Sequence, residues 1–283
     1  MNAHATVLVT GGTGTTGSKV AAMLRERAAA VRVATRTPID GNPEQVRFDW
    51  VDPATHGPAL AGVDRIYLVA PIGVADPMPM VEPFLTKALH VGVRRVVLLS
   101  SSAIGDGDPG LGALHQLVRV RMPEWTVLRP SWFMQNFLRE HPVADGIRLR
   151  NEIVTATGTG RVAFVDAAYI AAVATQVLLD TVPHNTDHVI TGPEALSYAD
   201  AAAVITEATT RTVRHRPVTT TEMADRFITA GIPKEFAAVL AGLDEDIRRG
   251  AENRVTSTVL DITGRPARSF AEFVSAHRDA FTA

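Results

Sequence analysis

The segment Thr10-Gly11-Gly12-Thr13-Gly14-Thr15-Thr16-Gly17 constrains this chain more than any other. It follows the short run Val7-Leu8-Val9 and precedes Ser18 to Arg27, where Val20, Met23 and Leu24 recur at helical spacing. Strand, glycine turn and helix in that order, with both Gly11-x-x-Gly14-x-x-Gly17 and Gly12-x-Gly14-x-x-Gly17, form a dinucleotide-binding signature. Glycine permits the tight turn, removes the Cβ that would block a pyrophosphate, and lets helix pack on strand. The helix N-terminus supplies amide donors. Gly11, Thr13, Gly14, Thr15, Thr16 and Gly17 are therefore the expected phosphate contacts. The alternative is a glycine-rich turn without a ligand, and the agreement of strand, helix and N-terminal position weighs against it.

The same alternation continues down the chain. Strand-like runs stand at Val31 to Ala34, Val46 to Phe48, Ile66 to Val69, Val96 to Leu99 and Thr126 to Leu128. Helical patterns fill the longer gaps, as in Met78 to Val91 and Leu111 to Met122. Such a rhythm predicts an α/β fold, a Rossmann-type doubly wound parallel sheet covered on both faces, with ligands at the strands' carboxyl ends. That rule adds Ala70 and Pro71, after the fourth strand, and Ser100, after the fifth, to the expected cofactor contacts.

After Pro130 the pattern changes to a Trp/Phe-rich segment, a hairpin-like Ile153 to Val165 and an Ala-rich helix after Asp166. Beyond Pro183 lies a mixed lobe with strands near Val189-Ile190 and Val213 to Val218 and helices starting near Ser197, Thr221, Lys234 and Ser269. The expected division is a cofactor domain over 1–131, completed by about 153–182, and a smaller C-terminal substrate-binding lobe from 132–152 and 183–283.

An acid at the end of the second strand would bind the ribose 2′-hydroxyl of NAD and repel the 2′-phosphate of NADP. This chain reads Ala34-Thr35-Arg36-Thr37 there, and a guanidinium holds a phosphate with two parallel hydrogen bonds. NADP(H) is the expected cofactor; the bland alternative is a solvated strand-end arginine. Phe48-Asp49-Trp50, closing the third strand, either flanks the adenine, with Asp49 as a contact, or forms an ordinary strand-end turn.

With the loop and Arg36 stands Leu128-Arg129-Pro130-Ser131-Trp132-Phe133-Met134-Gln135-Asn136-Phe137, and on these residues the chain resembles the NmrA-like atypical short-chain dehydrogenases. Within them it is most similar to the ergot-alkaloid-type branch of festuclavine and agroclavine dehydrogenases. The likeness extends through Thr191-Gly192-Pro193-Glu194-Ala195-Leu196-Ser197-Tyr198 and Thr263-Gly264-Arg265-Pro266-Ala267-Arg268-Ser269-Phe270, and so covers nearly the whole chain. The resemblance implies a Rossmann domain, a small C-terminal substrate lobe and a reduced nicotinamide cofactor. One departure is Tyr169-Ile170-Ala171, where relatives usually show Asp-Ile-Ala, which leaves Asp166 as the expected helix cap.

Ordinary short-chain dehydrogenases protonate a developing alkoxide with a Tyr-x-x-x-Lys pair. Tyr67, Tyr169 and Tyr198 are followed four residues later by Pro71, Val173 and Ala202, so that pair is missing. The corresponding spacing is filled by Ser102, His115 thirteen residues on, and Arg119 four later. His115 and Arg119 share a helix face, which makes His115 a candidate acid with Ser102 and Arg119 in support; the alternative is a solvated helix face. An iminium, quinone or conjugated double bond is already electrophilic, so hydride delivery to it need not await an acid. Trp132, Phe133 and Phe137 would form the apolar pocket wall and Asn136 its polar contact, with core packing an equal alternative for Phe137.

The expected function is an NADPH-dependent reductase of a small electrophile, the alternative a non-catalytic redox sensor of the NmrA-like kind. A net charge of −2 from 28 basic and 30 acidic residues gives no field for nucleic acid or an anionic membrane, so the expected partner is a small molecule. There are no cysteines, and the His184/His188 pair sits in a loop-like Pro183-His184-Asn185-Thr186-Asp187-His188, so no metal is expected. Met1 to Thr6 shows no basic n-region, and the apolar stretch Ile66 to Ala75 is short and broken by Pro71 and Gly73. A cytoplasmic protein is expected, as a monomer or a homodimer.

Overall fold

The computed structural model describes residues 5–138 and 141–282. The reading of the first four residues lies outside them. The chain opens with β1 (Thr6–Val9), α1 (Gly17–Glu26), β2 (Ala30–Thr35), β3 (Gln45–Arg47), α2 (His56–Leu60), β4 (Arg65–Val69), α3 (Met78–His90), β5 (Arg95–Leu99), α4 (Leu111–Arg121) and β6 (Glu124–Pro130). There follow α5 (Pro142–Arg150), β7 (Glu152–Thr155), β8 (Arg161–Val162), α6 (Ala167–Leu179) and β9 (Thr186–Ile190). The last stretch holds β10 (Leu196–Ser197), α7 (Tyr198–Thr209), β11 (Arg214–Pro217), α8 (Thr220–Thr229), α9 (Lys234–Arg248), α10 (Thr258–Thr263), α11 (Phe270–Ala276) and α12 (Arg278–Thr282).

These elements fall into two compact units, one of residues 1–130, 167–189 and 262–264, the other of 131–166, 190–261 and 265–283. The first unit is built on the sheet β3-β2-β1-β4-β5-β6-β9. Registered parallel pairs run from β3 through β6. Strand order reverses between β1 and β4, and the crevice at the carboxyl ends of those strands is where a doubly wound sheet binds its ligand.

Side-chain alternation explains the two layers of helices. Leu8, Ile66, Leu68, Val96, Leu98 and Val127 join Val81, Phe84 and Leu85 of α3 and Leu114 and Val118 of α4 in one core. Their neighbours Val7, Val9, Tyr67, Val97 and Leu128 are equally buried and point to the opposite face, where α6 packs on β4, β5 and β6 and against α1. The last turn of α6 is held by Arg95, only 2% exposed. Its Nη1 donates to the carbonyls of Val177, Leu178 and Asp180, while its Nε donates to Glu124 at 2.8 Å. A cation against the helix's negative end is the favourable sense of the macrodipole.

Two expectations need correction. Ile153 to Val165 is not a hairpin: β7 pairs in parallel with β11, and β8 pairs antiparallel with β10. The linking residues are drawn onto α9 instead. The Ala156 amide donates to Asp244 Oδ2 at 2.7 Å, and a Cβ on Gly160 would stand 2.1 Å from the Ile247 carbonyl oxygen. Residues 153–165 therefore belong to the second unit, whereas β9, expected in the C-terminal lobe, extends the main sheet beyond β6.

Burial pushes the Asp244 carboxyl up to about 6, and the Ala156 amide opposes the shift. The unfolded-state value is near 3.9, so the native state binds this proton more tightly. The resulting cost is absent below about pH 4 and complete above about pH 6. Asp244→Asn keeps an acceptor for Ala156 and should raise stability by about 3 kcal/mol at pH 7.5 and by almost nothing at pH 4. Urea midpoints at both pH values check this, and an equal gain at the two would remove the titration account.

Candidate cofactor and active site

The glycine loop divides into positions that the fold requires and one that it leaves open. Gly11 has φ +60°, a conformation that favours glycine. A Cβ on Gly17 would lie 2.2 Å from the Gly11 carbonyl oxygen, and one on Gly12 would lie 2.6 Å from Val33 Cγ1. By contrast, a Cβ on exposed Gly14 meets nothing nearer than the Gly11 oxygen at 3.2 Å. The chain therefore crowds a Cβ far less at Gly14 than at Gly12 or Gly17, whereas a phosphate lying on the loop would collide with it.

Thr13, Gly14 and Thr15 are exposed. The Gly14 amide closes the turn on Gly11 at 2.9 Å, while the amides of Thr13, Thr15 and Thr16 meet no partner among the described residues. These are the orphan donors of a helix start, and they sit at the positive end of α1. Beneath the loop, fully buried Tyr67 donates to Thr16 Oγ1 at 3.0 Å. Burial holds the Tyr67 phenol far above its usual range, so Tyr67 is a structural hydroxyl and not an acid.

Arg36 follows β2, is exposed, and is without an ion pair among the described residues. Ala70, which is buried, and half-buried Pro71 follow β4, and Ser100, 8% exposed, follows β5. All stand at the carboxyl edge of the sheet. Asp49 makes the turn of its bland alternative. Its Oδ1 accepts from the Val51 amide at 3.1 Å, and its carbonyl accepts from His56 Nε2 at 3.0 Å. Phe48 is buried against His56, Trp50 and Phe84 rather than offered to an adenine.

The expected grouping of Ser102, His115 and Arg119 forms differently. His115 is 5% exposed, so it does not decorate a solvated face, and its Nε2 lies 2.6 Å from the hydroxyl of Ser100. Ser102 stands two residues further along the chain than that serine. Its amide is bound to the Pro130 carbonyl, and its own carbonyl accepts from Arg129. Arg119 pairs with Asp106 at 2.7 Å, both half exposed. A cavity of about 60 Å³ lies behind the imidazole, lined by Asp106, His115, Arg119, Trp125, Val127 and Asp187. Burial first, then the Arg129 guanidinium, hold the His115 pKa below the ordinary histidine value, and Asp106, Asp187 and Asp108 oppose them. Arg129 itself pairs with Asp187 at 2.7 Å.

In the second unit, Phe137 is 2% exposed and packs on Phe164, Tyr198 and Phe270, which makes it core rather than pocket wall. Trp132, Phe133 and Asn136 remain half-buried. Sequence reading missed Ser131, whose hydroxyl is buried with no hydrogen-bond partner, and Asp187, whose role depends on β9 joining the sheet. Near the start of β9, His184 Nδ1 lies 2.7 Å from His188 Nε2. Among the described residues, no group of three or more metal-binding side chains is placed to hold an ion, and no helix is long and apolar enough to cross a membrane.

A family model described as NAD(P)H-binding matches residues 11–181, which include the whole glycine loop. The chain belongs to this NAD(P)H-binding oxidoreductase family. Within the family it is 46% identical to an uncharacterized oxidoreductase, YesF, of Bacillus subtilis, over 98% of this chain and 96% of that one. It is 37% identical to agroclavine dehydrogenase of Claviceps fusiformis over 98% of each, in keeping with the resemblance to the ergot-alkaloid branch. Among solved structures, the NADPH-dependent quinone oxidoreductase of Escherichia coli, complexed with NADPH, superposes with a TM-score of 0.82 over 96% of this chain and 99% of that chain at 22% identity. That last likeness speaks for the fold alone.

Proposed function

We propose that the protein is a cytoplasmic, NADPH-dependent reductase that delivers hydride to a small electrophilic acceptor: an iminium, a quinone or a conjugated double bond. The carrying observation is the site that ordinary short-chain dehydrogenases fill with tyrosine and lysine. Here it holds a buried, neutral-leaning histidine bonded to a serine, and the neighbouring arginine is committed to Asp106. Such a site is poorly equipped to activate a plain ketone and well suited to an acceptor that is already electron-poor.

In this reading the unpartnered amides of Thr13, Thr15 and Thr16 hold the pyrophosphate, Gly14 gives it room, and Arg36 holds the 2′-phosphate. Bound NADPH supplies the hydride. Ala70, Pro71 and Ser100 border the cofactor at the strand ends. Trp132, Phe133 and Asn136, half-buried in the second unit, are the residues assigned to the acceptor pocket. The test is NADPH oxidation across a panel of imines, quinones, enones and ketones. No turnover with any of them, with tight NADPH binding intact, would remove the reading in favour of a sensor. Arg36→Ala should weaken NADPH about 30-fold and NADH by less than threefold, on the scale of a charge-assisted hydrogen-bonded pair. Calorimetric titration of both cofactors measures this, and equal losses would return Arg36 to an ordinary surface arginine.

A further inference from the structure

Two acceptors of equal electrophilicity can differ in what they need after hydride arrives. A reduced iminium is a neutral amine, whereas a reduced quinone or enone is an oxyanion and must take up a proton. His115 meets two environments that together provide one. Its Nε2 is 2.6 Å from Ser100 Oγ, at the carboxyl end of β5 where the cofactor edge of the sheet lies. His115 is also one of the residues that line the 60 Å³ cavity. Around that cavity stand Asp106 and Arg119, 42% and 49% exposed, and Asp187, 48% exposed. Four of its six lining residues, Asp106, His115, Arg119 and Asp187, carry ionisable groups, Trp125 and Val127 supply an apolar wall, and the space is large enough for a few waters.

We propose that His115 is a proton relay that feeds Ser100 from the solvent-facing cavity behind α4, so that Ser100 is the group touching the acceptor and His115 acts through it. The inference rests on the reductase reading above, in which NADPH is the reductant. When hydride has converted the acceptor to an oxyanion, the Ser100 O–H bond breaks and its proton forms the new O–H bond of the product. The His115 Nε2–H proton re-forms the serine hydroxyl, and Nδ1 takes a proton from an acid in the cavity. The sum is NADPH, one proton and a quinone giving NADP⁺ and a hydroquinone. The imidazole ends neutral in its other tautomer, and exchange with water after product release restores the first.

A neutral ring with one N–H and one free nitrogen is what such a chain needs. The charged groups that face it are Asp106 and Asp108 from the loop before α4, Arg119 from α4, Arg129 from β6 and Asp187 from β9. Helix α3, which packs on α4, sends Glu82 to Arg121 instead.

His115→Ala joins the volume of an imidazole to the existing cavity, and this makes the proposal testable by replacement. Calorimetry on the cofactor-free variant should detect imidazole binding that the wild type lacks. Quinone turnover should fall about 10²-fold, at least tenfold more than iminium turnover, and added imidazole should restore it with a saturating dependence on concentration. His115→Gln, which keeps a hydrogen-bonding side chain but cannot relay, should be as slow with the quinone and should lose the solvent isotope effect of the wild type. Equal losses for both acceptors, no rescue by bound imidazole, or full quinone turnover in His115→Gln would each overturn the relay while leaving hydride transfer standing. Wild-type protein that binds NADPH tightly yet fails to oxidise it with any acceptor of the panel would instead overturn the reductase reading, and the relay with it.

Discussion

Gly14→Val should abolish NADPH binding and leave the protein folded. The substituted Cβ has one neighbour within 4 Å, the Gly11 carbonyl oxygen at 3.2 Å, a tight contact that a shift of a few tenths of an ångström would relieve. The backbone at this position is not left-handed, so an L side chain adds no strain of that kind. A pyrophosphate resting on the orphan amides of Thr13, Thr15 and Thr16 would have to pass through that side chain. We therefore expect affinity to fall by more than about 100-fold, a loss above roughly 2.7 kcal/mol, with the melting temperature within about 2 °C of the wild type. Calorimetry and differential scanning measure the two quantities separately. Retained binding would mean that the cofactor does not lie on this loop. Gly17→Ala is the contrasting control, because its Cβ would sit 2.2 Å from the Gly11 oxygen and the loop itself must move.

The second large effect concerns stability. Arg95→Met removes a charge that is 2% exposed and that makes four hydrogen bonds in the core of the first unit. Methionine fills part of the volume but leaves the Val177 and Asp180 carbonyls and the Glu124 carboxylate without this partner. Arg65 still reaches the Leu178 carbonyl, so the helix end is not stripped bare. Breaking a buried ionic network in this way costs about 3–5 kcal/mol, which in a chain of this size lowers the melting temperature by roughly 10 °C. Chemical denaturation would show it, and a change below about 1 kcal/mol would mean that water replaces the guanidinium at no cost.

Much of the first unit was legible because its signals are local. The run Val7-Leu8-Val9 and the helical spacing after Gly17 are each set by a few neighbouring residues, and the strand rhythm from β1 to β6 repeats that logic. Phe137 could not be assigned from its surroundings in the chain, because its burial comes from Phe164, Tyr198 and Phe270. Ile153 to Val165 looked like a hairpin because Gly158 and Gly160 suit a turn. Those glycines in fact allow close approach to Arg248 and Ile247, a contact far along the sequence. At the candidate active site, spacing pointed to His115 with Ser102, and the ring lies 2.6 Å from the hydroxyl of Ser100. Ser100 and Ser102 are both at the end of β5, and only the depth of α4 against the sheet decides which of them meets the ring.

The way the chain passes between its two units bears on how the protein is made. The first unit is not complete when residue 130 has been synthesised, for α6 arrives only with residues 167–179 and β9 with 186–190. Until then the backs of β4, β5 and β6 have no cover and Arg95 has no helix end to bind. A nascent chain stopped at residue 130 would expose a broad greasy sheet face in which Arg95 keeps Glu124 but none of its carbonyl partners. We expect such a fragment to require a chaperone, and cofactor capture by the nascent chain to begin only after the helix at 167–179 has left the ribosome.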